Sequence, residues 1–228
     1  MENLIEVKDL CKDFVNGSIT TQVLHNISFD MKKGEFISII GPSGSGKSTL
    51  LYLLGALDKP TNGYVKIGGQ EIVNLNDNLA SKERRKRIGF VFQFYNLIPN
   101  FTAEENILLP VMLDGVKIKE KKELAKELLD IVGLYEKRML RPKQLSGGQQ
   151  QRVAIARALI NNPDIILADE AIGNLDQTTG IEIMSLLQKL NQEKGVSIIQ
   201  VTHALETCSY GTRVIKIVDG RINSDESL

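Results

Sequence analysis

The chain has 228 residues, of which 42% are hydrophobic and 25% charged, and its 28 basic and 28 acidic side chains cancel to a formal net charge of zero. This length suffices for one α/β domain with a sizeable core, and the neutral balance lacks the basic excess of nucleic-acid-binding proteins. Because the N-terminus lacks the features of a signal peptide and no apolar run approaches the roughly 18 residues of a membrane span, we expect a soluble protein or one held at a membrane by a partner.

Strand patterns dominate the N-terminal part of the chain. Apolar alternation on both sides of a polar turn at residues 16–18 predicts two neighbouring strands, and the apolar run at residues 36–40 predicts a third. The predicted elements up to Gln93 are strands within residues 4–40, a helix at 49–57, a turn at 58–63, a strand pair at 64–73, a charged helix at 81–87 and a buried strand at 88–92.

From Thr102 the pattern becomes that of helices, and we interpret residues 94–145 as a helical insertion. Thr102 and Glu105 have the spacing of a capping box. Helical spacing places four apolar residues on one face of a helix at 119–132, namely Leu124, Leu128, Leu129 and Val132. The predicted elements that follow are a helix after Ser146 to Ile160, an apolar parallel strand at 165–168, a helix at 178–193, strands at 196–201 and 214–218, and a short strand after a turn at Asp219-Gly220. Residues 223–228 are expected to form a loose tail.

A glycine-rich motif, G-x-x-x-x-G-K-S, connects the strand at 36–40 to the helix that follows it. Its glycines let the backbone curl with the N–H groups pointing inward, and such donors at a helix N-terminus suit the phosphates of a nucleotide. We expect Lys47 to reach the β- and γ-phosphates and Ser48 to hold Mg²⁺. The alternative, a glycine-rich turn with an incidental lysine, arises by chance in about 1 of 100 chains of this length. The predicted nucleotide-binding residues of this loop are Gly41, Ser43, Gly44, Ser45, Gly46, Lys47, Ser48 and Thr49.

Two acidic residues follow the apolar strand at 165–168, at the edge where open α/β sheets bind ligands. We expect Asp169 to hold Mg²⁺, through water, and Glu170 to polarise the attacking water. The alternative is that these carboxylates cap a helix. Their position downstream of a phosphate-binding loop favours the catalytic interpretation.

A second candidate anion site opens the helix after Ser146. Ser146, Gly147 and Gly148 offer free N–H donors at a helix start, although a plain helix cap would use the same residues. The pentapeptide Leu-Ser-Gly-Gly-Gln at residues 145–149 resembles the signature of ATP-binding cassette (ABC) ATPases. The resemblance implies that Ser146, Gly147, Gly148 and Gln149 contact ATP.

The resemblance covers the whole chain, and its motifs follow in the family's order. It implies that Phe14 stacks on adenine and that Gln93 senses Mg²⁺ and the γ-phosphate and faces a membrane partner. It also implies that residues 174–176, with Asp176, cross a dimer interface and that His203 acts on the γ-phosphate. Without the resemblance, Phe14 would fit core packing equally well, Asp176 would fit a helix cap and His203 would fit a structural role.

Four segments look like one branch of the family, which holds the lipoprotein-release, macrolide-export and cell-division ATPases and related antimicrobial-peptide transporters. These segments are residues 57–63, 88–93, 96–99 and 146–158. The resemblance implies a homodimer that sandwiches two ATPs, binds separate transmembrane permease subunits and needs ATP and Mg²⁺ but no nucleic acid. The expected location is cytoplasmic, peripheral on the inner face of the cell membrane through the permease.

The fold implied is α/β: a P-loop NTPase (RecA-like) core with a parallel sheet, an N-terminal antiparallel β-subdomain and a helical insertion. One ABC ATPase domain spans residues 1–228. Residues 1–93 and 161–222 are expected to form the nucleotide-binding core with the β-subdomain, and residues 94–160 the helical signature subdomain.

Two departures from the family's pattern lie beside the expected catalytic residues. Ala171-Ile172 stands where Pro-Thr is usual, and Ala204 stands where Asp is frequent, which puts the rate of hydrolysis in question. The basic run at residues 84–87 is either a solvated helix face or a contact for lipid or a partner.

The leading function is ATP hydrolysis that powers export or extrusion, and the alternative is an ATP-driven regulatory module of a cell-division or peptide-sensing complex. A soluble ABC protein of DNA repair or translation is disfavoured because this chain has no coiled coil, zinc module or second cassette.

Overall fold

The computed structural model describes residues 3–72 and 75–228. The strands are β1 (Asn3–Asn16), β2 (Ile19–Lys32), β3 (Phe36–Ile40), β4 (Asn62–Ile67), β5 (Gln70–Glu71), β6 (Ile88–Phe92), β7 (Ile165–Asp169), β8 (Ser197–Val201), β9 (Arg213–Val218) and β10 (Arg221–Ser227). The α-helices are α1 (Lys47–Leu54), α2 (Asp77–Arg87), α3 (Ala103–Leu113), α4 (Ile118–Ile131), α5 (Gly147–Leu159) and α6 (Gln177–Lys194). None of the helices within these described ranges is long and apolar enough to cross a membrane.

The strands form two sheets. A four-stranded sheet of order β2-β1-β4-β5 is antiparallel, and a six-stranded sheet has the order β10-β9-β3-β8-β7-β6. In the larger sheet β9, β3, β8, β7 and β6 run parallel, and β10 is antiparallel to β9. The predicted α/β architecture, with an N-terminal antiparallel sheet and a parallel core, is therefore present.

The parallel strands are buried because helices and the smaller sheet cover them. Phe36, Ile37 and Ile39 of β3 are fully buried, as are the apolar residues of β7. One apolar cluster lies between the antiparallel sheet, α1 and the larger sheet, and a second joins the larger sheet to α3, α4, α5 and α6. This packing fixes the strand ends, and the loops that follow β3, β6, β7 and β8 carry the phosphate loop, Gln93, Glu170 and His203.

The helical segment follows its sequence signals closely. Thr102 and Glu105 form the predicted capping box at the start of α3. Leu128, Leu129 and Val132 are buried as predicted, and Leu124 packs partly buried against them. The division of the chain into a core and a helical subdomain at 94–160 remains a prediction.

The prediction of a loose tail at 223–228 is wrong. Residues up to Ser227 belong to β10, and the N–H of Leu228 donates to the carbonyl of Thr212 at 2.9 Å. Asp225 accepts two hydrogen bonds from the guanidinium of Arg213 on β9, at 2.6 and 2.7 Å. Backbone pairing and this ion pair hold the strand in place. It therefore needs no alternation of apolar residues, and its polar sequence gives no strand signal.

Three predicted segments differ in extent or surroundings. The helix predicted at 49–57 is observed as α1 (Lys47–Leu54), so it starts within the phosphate loop and ends three residues early. Helix α2 begins at Asp77 rather than 81, because the Asn76 side chain caps it by accepting from the N–H of Leu79 at 3.0 Å. Three of the four residues in its basic run make contacts within the chain, and Lys86 is exposed. Arg85 pairs with Asp114, Arg87 pairs with Glu83 and Asp164, and Arg84 donates to the carbonyl of Ala56. The predicted strand pair at 64–73 is observed as β4 and β5, and Val73 lies outside the described residues.

Candidate active site

The phosphate loop turns tightly between β3 and α1. Gly41 has φ +153°, and a Cβ there would lie 2.0 Å from the carbonyl oxygen of Ile217, so only glycine fits. The ammonium of Lys47 donates to the carbonyls of Gly41 and Pro42 at 2.9 and 2.8 Å. Burial lowers the pKa of Lys47, while the carboxylates of Glu170 and Asp169 oppose that shift. The loop therefore holds a desolvated cation facing two carboxylates.

The loop, Glu170 and His203 enclose one cavity of about 270 Å³. Its walls come from β2, the loop, α1 and the segments after β7 and β8, and they are lined by Val23, Ser43, Gly44, Gly46, Lys47, Ser48, Thr49, Glu170 and His203. Of the predicted loop residues, Gly41 and Ser45 do not line this cavity, and the hydroxyl of Ser45 is buried without a partner among the described residues.

Asp169 accepts hydrogen bonds from two hydroxyl groups of α1. Ser48 Oγ donates to Asp169 Oδ1 at 3.1 Å, and the Tyr52 hydroxyl donates to Oδ2 at 3.0 Å. Burial raises the pKa of Tyr52, and the neighbouring carboxylate raises it further. Tyr52 was not among the predicted site residues, although its i, i+4 spacing from Ser48 places both side chains on one face of α1.

The hydroxyl of Ser48 and the carboxylate of Asp169 are oxygen ligands of the kind that Mg²⁺ prefers. Within the described part of the chain, no group of three or more His, Cys, Asp or Glu residues is arranged to hold a metal on its own. The donor set therefore fits an ion that completes its coordination with phosphate oxygens and water.

Glu170 has a left-handed backbone with φ +47°, which is strained for a residue with a side chain. Its N–H donates to the carbonyl of Val201 at 3.0 Å, and its carbonyl accepts from the N–H of Gly173 at 2.9 Å. The carboxylate Oε1 lies 3.0 Å from Nδ1 of His203. These restraints aim the carboxylate at the cavity beside the phosphate loop, where it can take a proton from water.

Gln93 is hydrogen-bonded to the loop that follows Glu170. Its amide donates to Asn174 Oδ1 at 3.2 Å, and the Asn174 amide donates to the carbonyl of Gln93 at 3.0 Å. A Cβ on Gly173 would lie 2.8 Å from Gln93 Nε2 and 3.3 Å from Glu170 Oε2, so the two side chains flank this glycine. The loops after β6 and β7 are thus directly connected.

Phe14 and Asp176 lie outside the phosphate cavity. The ring of Phe14 is 46% exposed near the end of β1, with the Lys12 ammonium 4.9 Å from its centroid, so it is not a core residue. Asp176 caps α6: its carboxylate accepts from the N–H and hydroxyl of Thr179 at 3.0 and 2.6 Å. Those hydrogen bonds lower the pKa of Asp176.

The signature residues form a separate site at the start of α5. Ser146 caps the helix by accepting from the N–H of Gln149 at 3.3 Å. A Cβ on Gly148 would lie 2.3 Å from Thr179 Cγ2, so this glycine is required for packing against α6. Ser146, Gly148 and Gln149 line a cavity of about 290 Å³, and its described lining shares no residue with that of the phosphate cavity.

Comparison with known proteins decides the family. The family model described as "ABC transporter" matches residues 24–173. This chain belongs to the ABC transporter family. The predicted ATP-binding domain and ATP hydrolysis are thereby confirmed. The predicted branch is confirmed by the names of two relatives, a lipoprotein-releasing ATPase and a macrolide exporter.

Two relatives and one solved structure place this ABC ATPase more closely. It is 44% identical to the lipoprotein-releasing system ATP-binding protein LolD of Geobacter metallireducens, covering 99% of this chain and 100% of that protein. It is 47% identical to the macrolide export ATP-binding/permease protein MacB of Brucella melitensis over 97% of this chain, which spans only 34% of MacB. The dimeric ATP-binding cassette MJ0796, in a post-hydrolysis state bound to ADP and phosphate, superposes with a TM-score of 0.89, at 46% identity over 98% of each chain. The predicted fold is confirmed by that likeness.

Proposed function

We propose that this ABC ATPase works as a homodimer on the inner face of the membrane and drives export or extrusion through separate permease subunits. The observation that carries the proposal is the separation of the two anion sites within one chain. The phosphate cavity and the signature cavity share no lining residue among the described residues, so one chain presents its two anion sites separately. A second copy would bring its signature to each phosphate loop.

The roles follow from the geometry of the phosphate cavity. Lys47 and the loop N–H groups would neutralise the β- and γ-phosphates, and phosphoryl transfer depends mostly on such positioning and charge. Glu170 would act as the general base for water. His203 contacts Glu170 through Nδ1, which leaves its second ring nitrogen for the γ-phosphate. Mg²⁺, held by Ser48 and Asp169 with Gln93 nearby, would supply further positive charge.

A groove of about 350 Å³ beside the Gln93 loop suits a membrane partner. Phe90, Pro110 and Leu113 provide apolar walls, and Arg84 and Arg157 provide positive charge. Arg157 donates to the carbonyls of Tyr95 and Asn96, and burial lowers its pKa to about 10. A short apolar segment bearing an acidic residue would complement this groove, and its movement would reach Gln93 through the adjoining loop.

The test is purification of tagged protein from solubilised membranes. We expect a multi-pass membrane protein to co-purify with the wild type and to be lost with Leu113→Glu, because Leu113 is 63% exposed in the groove. Met139→Glu is the matched control: Met139 is 66% exposed and does not line the groove. Equal recovery with both variants, or no membrane protein with the wild type, would contradict the proposal.

A further inference from the structure

Gln151 connects the signature helix to the segment that carries the general base. It lies in the second turn of α5 and is fully buried. Its amide Nε2 donates to the carbonyl oxygen of Ala171 at 2.7 Å. Ala171 follows Glu170 directly, so this side chain restrains the peptide next to the catalytic carboxylate.

Glu170 is held by its own hydrogen bonds to Val201 and Gly173, but Gln151 supplies the one hydrogen bond to the backbone of Ala171 among the described residues. Glu170 occupies the left-handed region at φ +47°, a conformation that costs on the order of 1 kcal/mol and persists only where the surroundings impose it. Among the described residues, Gln151 is the one donor to the carbonyl of Ala171, and the N–H of Ala171 makes no hydrogen bond. Alanine also leaves φ free, whereas a proline would fix it.

Protein stability alone does not account for a glutamine here. The amide oxygen of Gln151 is buried without a partner within the described part of the chain. An unpaired buried oxygen costs about 1–3 kcal/mol, which matches or exceeds the roughly 0.5–1.5 kcal/mol gained from one neutral hydrogen bond. An apolar side chain of similar length would fill the same space. Relative to it, the amide makes one hydrogen bond but gives no net gain in the free energy of folding.

We propose that Gln151 is a positioning residue for ATP hydrolysis: its amide fixes the 170–173 turn so that the Glu170 carboxylate faces the phosphate cavity. Gln151 lies one helical turn beyond Gly147, on the side of α5 that begins with the signature. A shift of the signature end of α5 therefore moves the restraint on Glu170. This gives each chain a physical connection between its signature and its own general base, and it rests on the ATPase activity rather than on any membrane partner.

The first variant is Gln151→Met, which keeps length and apolar volume but cannot donate. We expect hydrolysis to slow by about 10- to 100-fold, the scale of a misplaced catalytic group, with affinity for a non-hydrolysable ATP analogue changed less than about threefold. Single-turnover hydrolysis with enzyme in excess measures the rate, and thermal unfolding reports stability. Gln150→Met is the matched control, since its amide donates to Leu145 instead, and its rate should stay within about twofold of wild type.

The second arm adds Ala171→Pro, which removes no hydrogen bond and restricts the backbone that Gln151 restrains. We expect Ala171→Pro to restore at least about threefold of the rate lost in Gln151→Met, because fixing φ replaces part of the missing restraint. A role in folding alone predicts a loss that follows the unfolding midpoint and no rescue by proline. Unchanged hydrolysis in Gln151→Met, a loss without rescue, or failure of both Gln151→Met and Gln151→Leu to give folded, ATP-binding protein would each overturn the proposal.

Discussion

Replacing Phe14 by alanine separates nucleotide stacking from packing. A ring that stacks on adenine contributes about 1–3 kcal/mol to binding, so Phe14→Ala should weaken ATP affinity by about 5- to 150-fold. The ring is 46% exposed, so its removal cannot cost the roughly 3–5 kcal/mol expected for a buried phenylalanine. Only about 100 Å² of apolar surface is covered, which at about 25 cal/mol per Å² limits the stability loss to about 2.5 kcal/mol.

The assay is an ATP titration together with an unfolding curve for the same preparations. Phe14→Tyr should keep affinity within about threefold of wild type, because it retains the ring. Val15→Ala is the control for the strand end, since Val15 is 72% exposed, and it should change neither quantity. Unchanged affinity in Phe14→Ala would refute stacking, whatever happens to the unfolding midpoint.

Three further substitutions test the general base, the Asp169 site and the C-terminal strand. Glu170→Gln should slow hydrolysis by roughly 10²–10⁴-fold and keep ATP binding, so gel filtration with ATP should show a dimer; wild-type turnover would reject the assignment. Tyr52→Phe should raise the Mg²⁺ concentration for half-maximal hydrolysis by about 10-fold, because Asp169 loses the hydroxyl that orients its carboxylate. An unchanged Mg²⁺ requirement would show that Tyr52 has no such role. Arg213→Ala should lower the free energy of unfolding by about 2 kcal/mol, because Arg213 loses its bonds to Asp225, to the Asp30 carbonyl and to Glu35. Arg221→Ala on the exposed side of β10 should change it little, and equal effects would contradict a stabilising role for Arg213 at this edge of the sheet.

The parts of the site that could be predicted from the sequence are those whose functional residues are adjacent in the chain. The phosphate loop, the pair Asp169-Glu170 and the capped start of α5 each lie within one short segment. The structure places Glu170 at the phosphate cavity and Asp169 against Ser48 of the loop. Tyr52 and Gln151 were not predicted, because their roles come from contacts with Asp169 and Ala171, which lie 117 and 20 residues away. Such contacts exist only once β7 has packed between its neighbours.

The error at the C-terminus has a related cause. The segment 223–228 is polar because β10 is an edge strand with little apolar surface to cover, so periodicity gives no signal. Its pairing depends on the turn at Asp219-Gly220 and on Arg213 of the neighbouring strand. That turn also reaches the functional site, because the N–H of Gly220 donates to the carbonyl of Ser45 at 3.2 Å.

The shared-site model makes a prediction about mixed dimers. Lys47→Ala removes the cation of the phosphate loop. Ser146→Asp adds a negative charge at the signature and retains a good helix cap, whereas a side chain at Gly148 would collide with Thr179. Homodimers of either variant should trap no ATP. Two differently tagged chains allow each mixed dimer to be purified and assayed for trapped ATP as well as for turnover.

If each ATP lies between the loop of one chain and the signature of the other, a dimer of Lys47→Ala with Ser146→Asp keeps one intact site. A dimer of wild type with the double variant then keeps none. If each chain builds its own site, the two results exchange. Because the two cavities share no lining residue among the described residues, we expect the pair of single variants to trap more nucleotide. Trapped ATP is the decisive measurement, because a dimer with one intact site shows no turnover if hydrolysis needs both sites together. More ATP trapped by the dimer of wild type with the double variant would overturn the shared site.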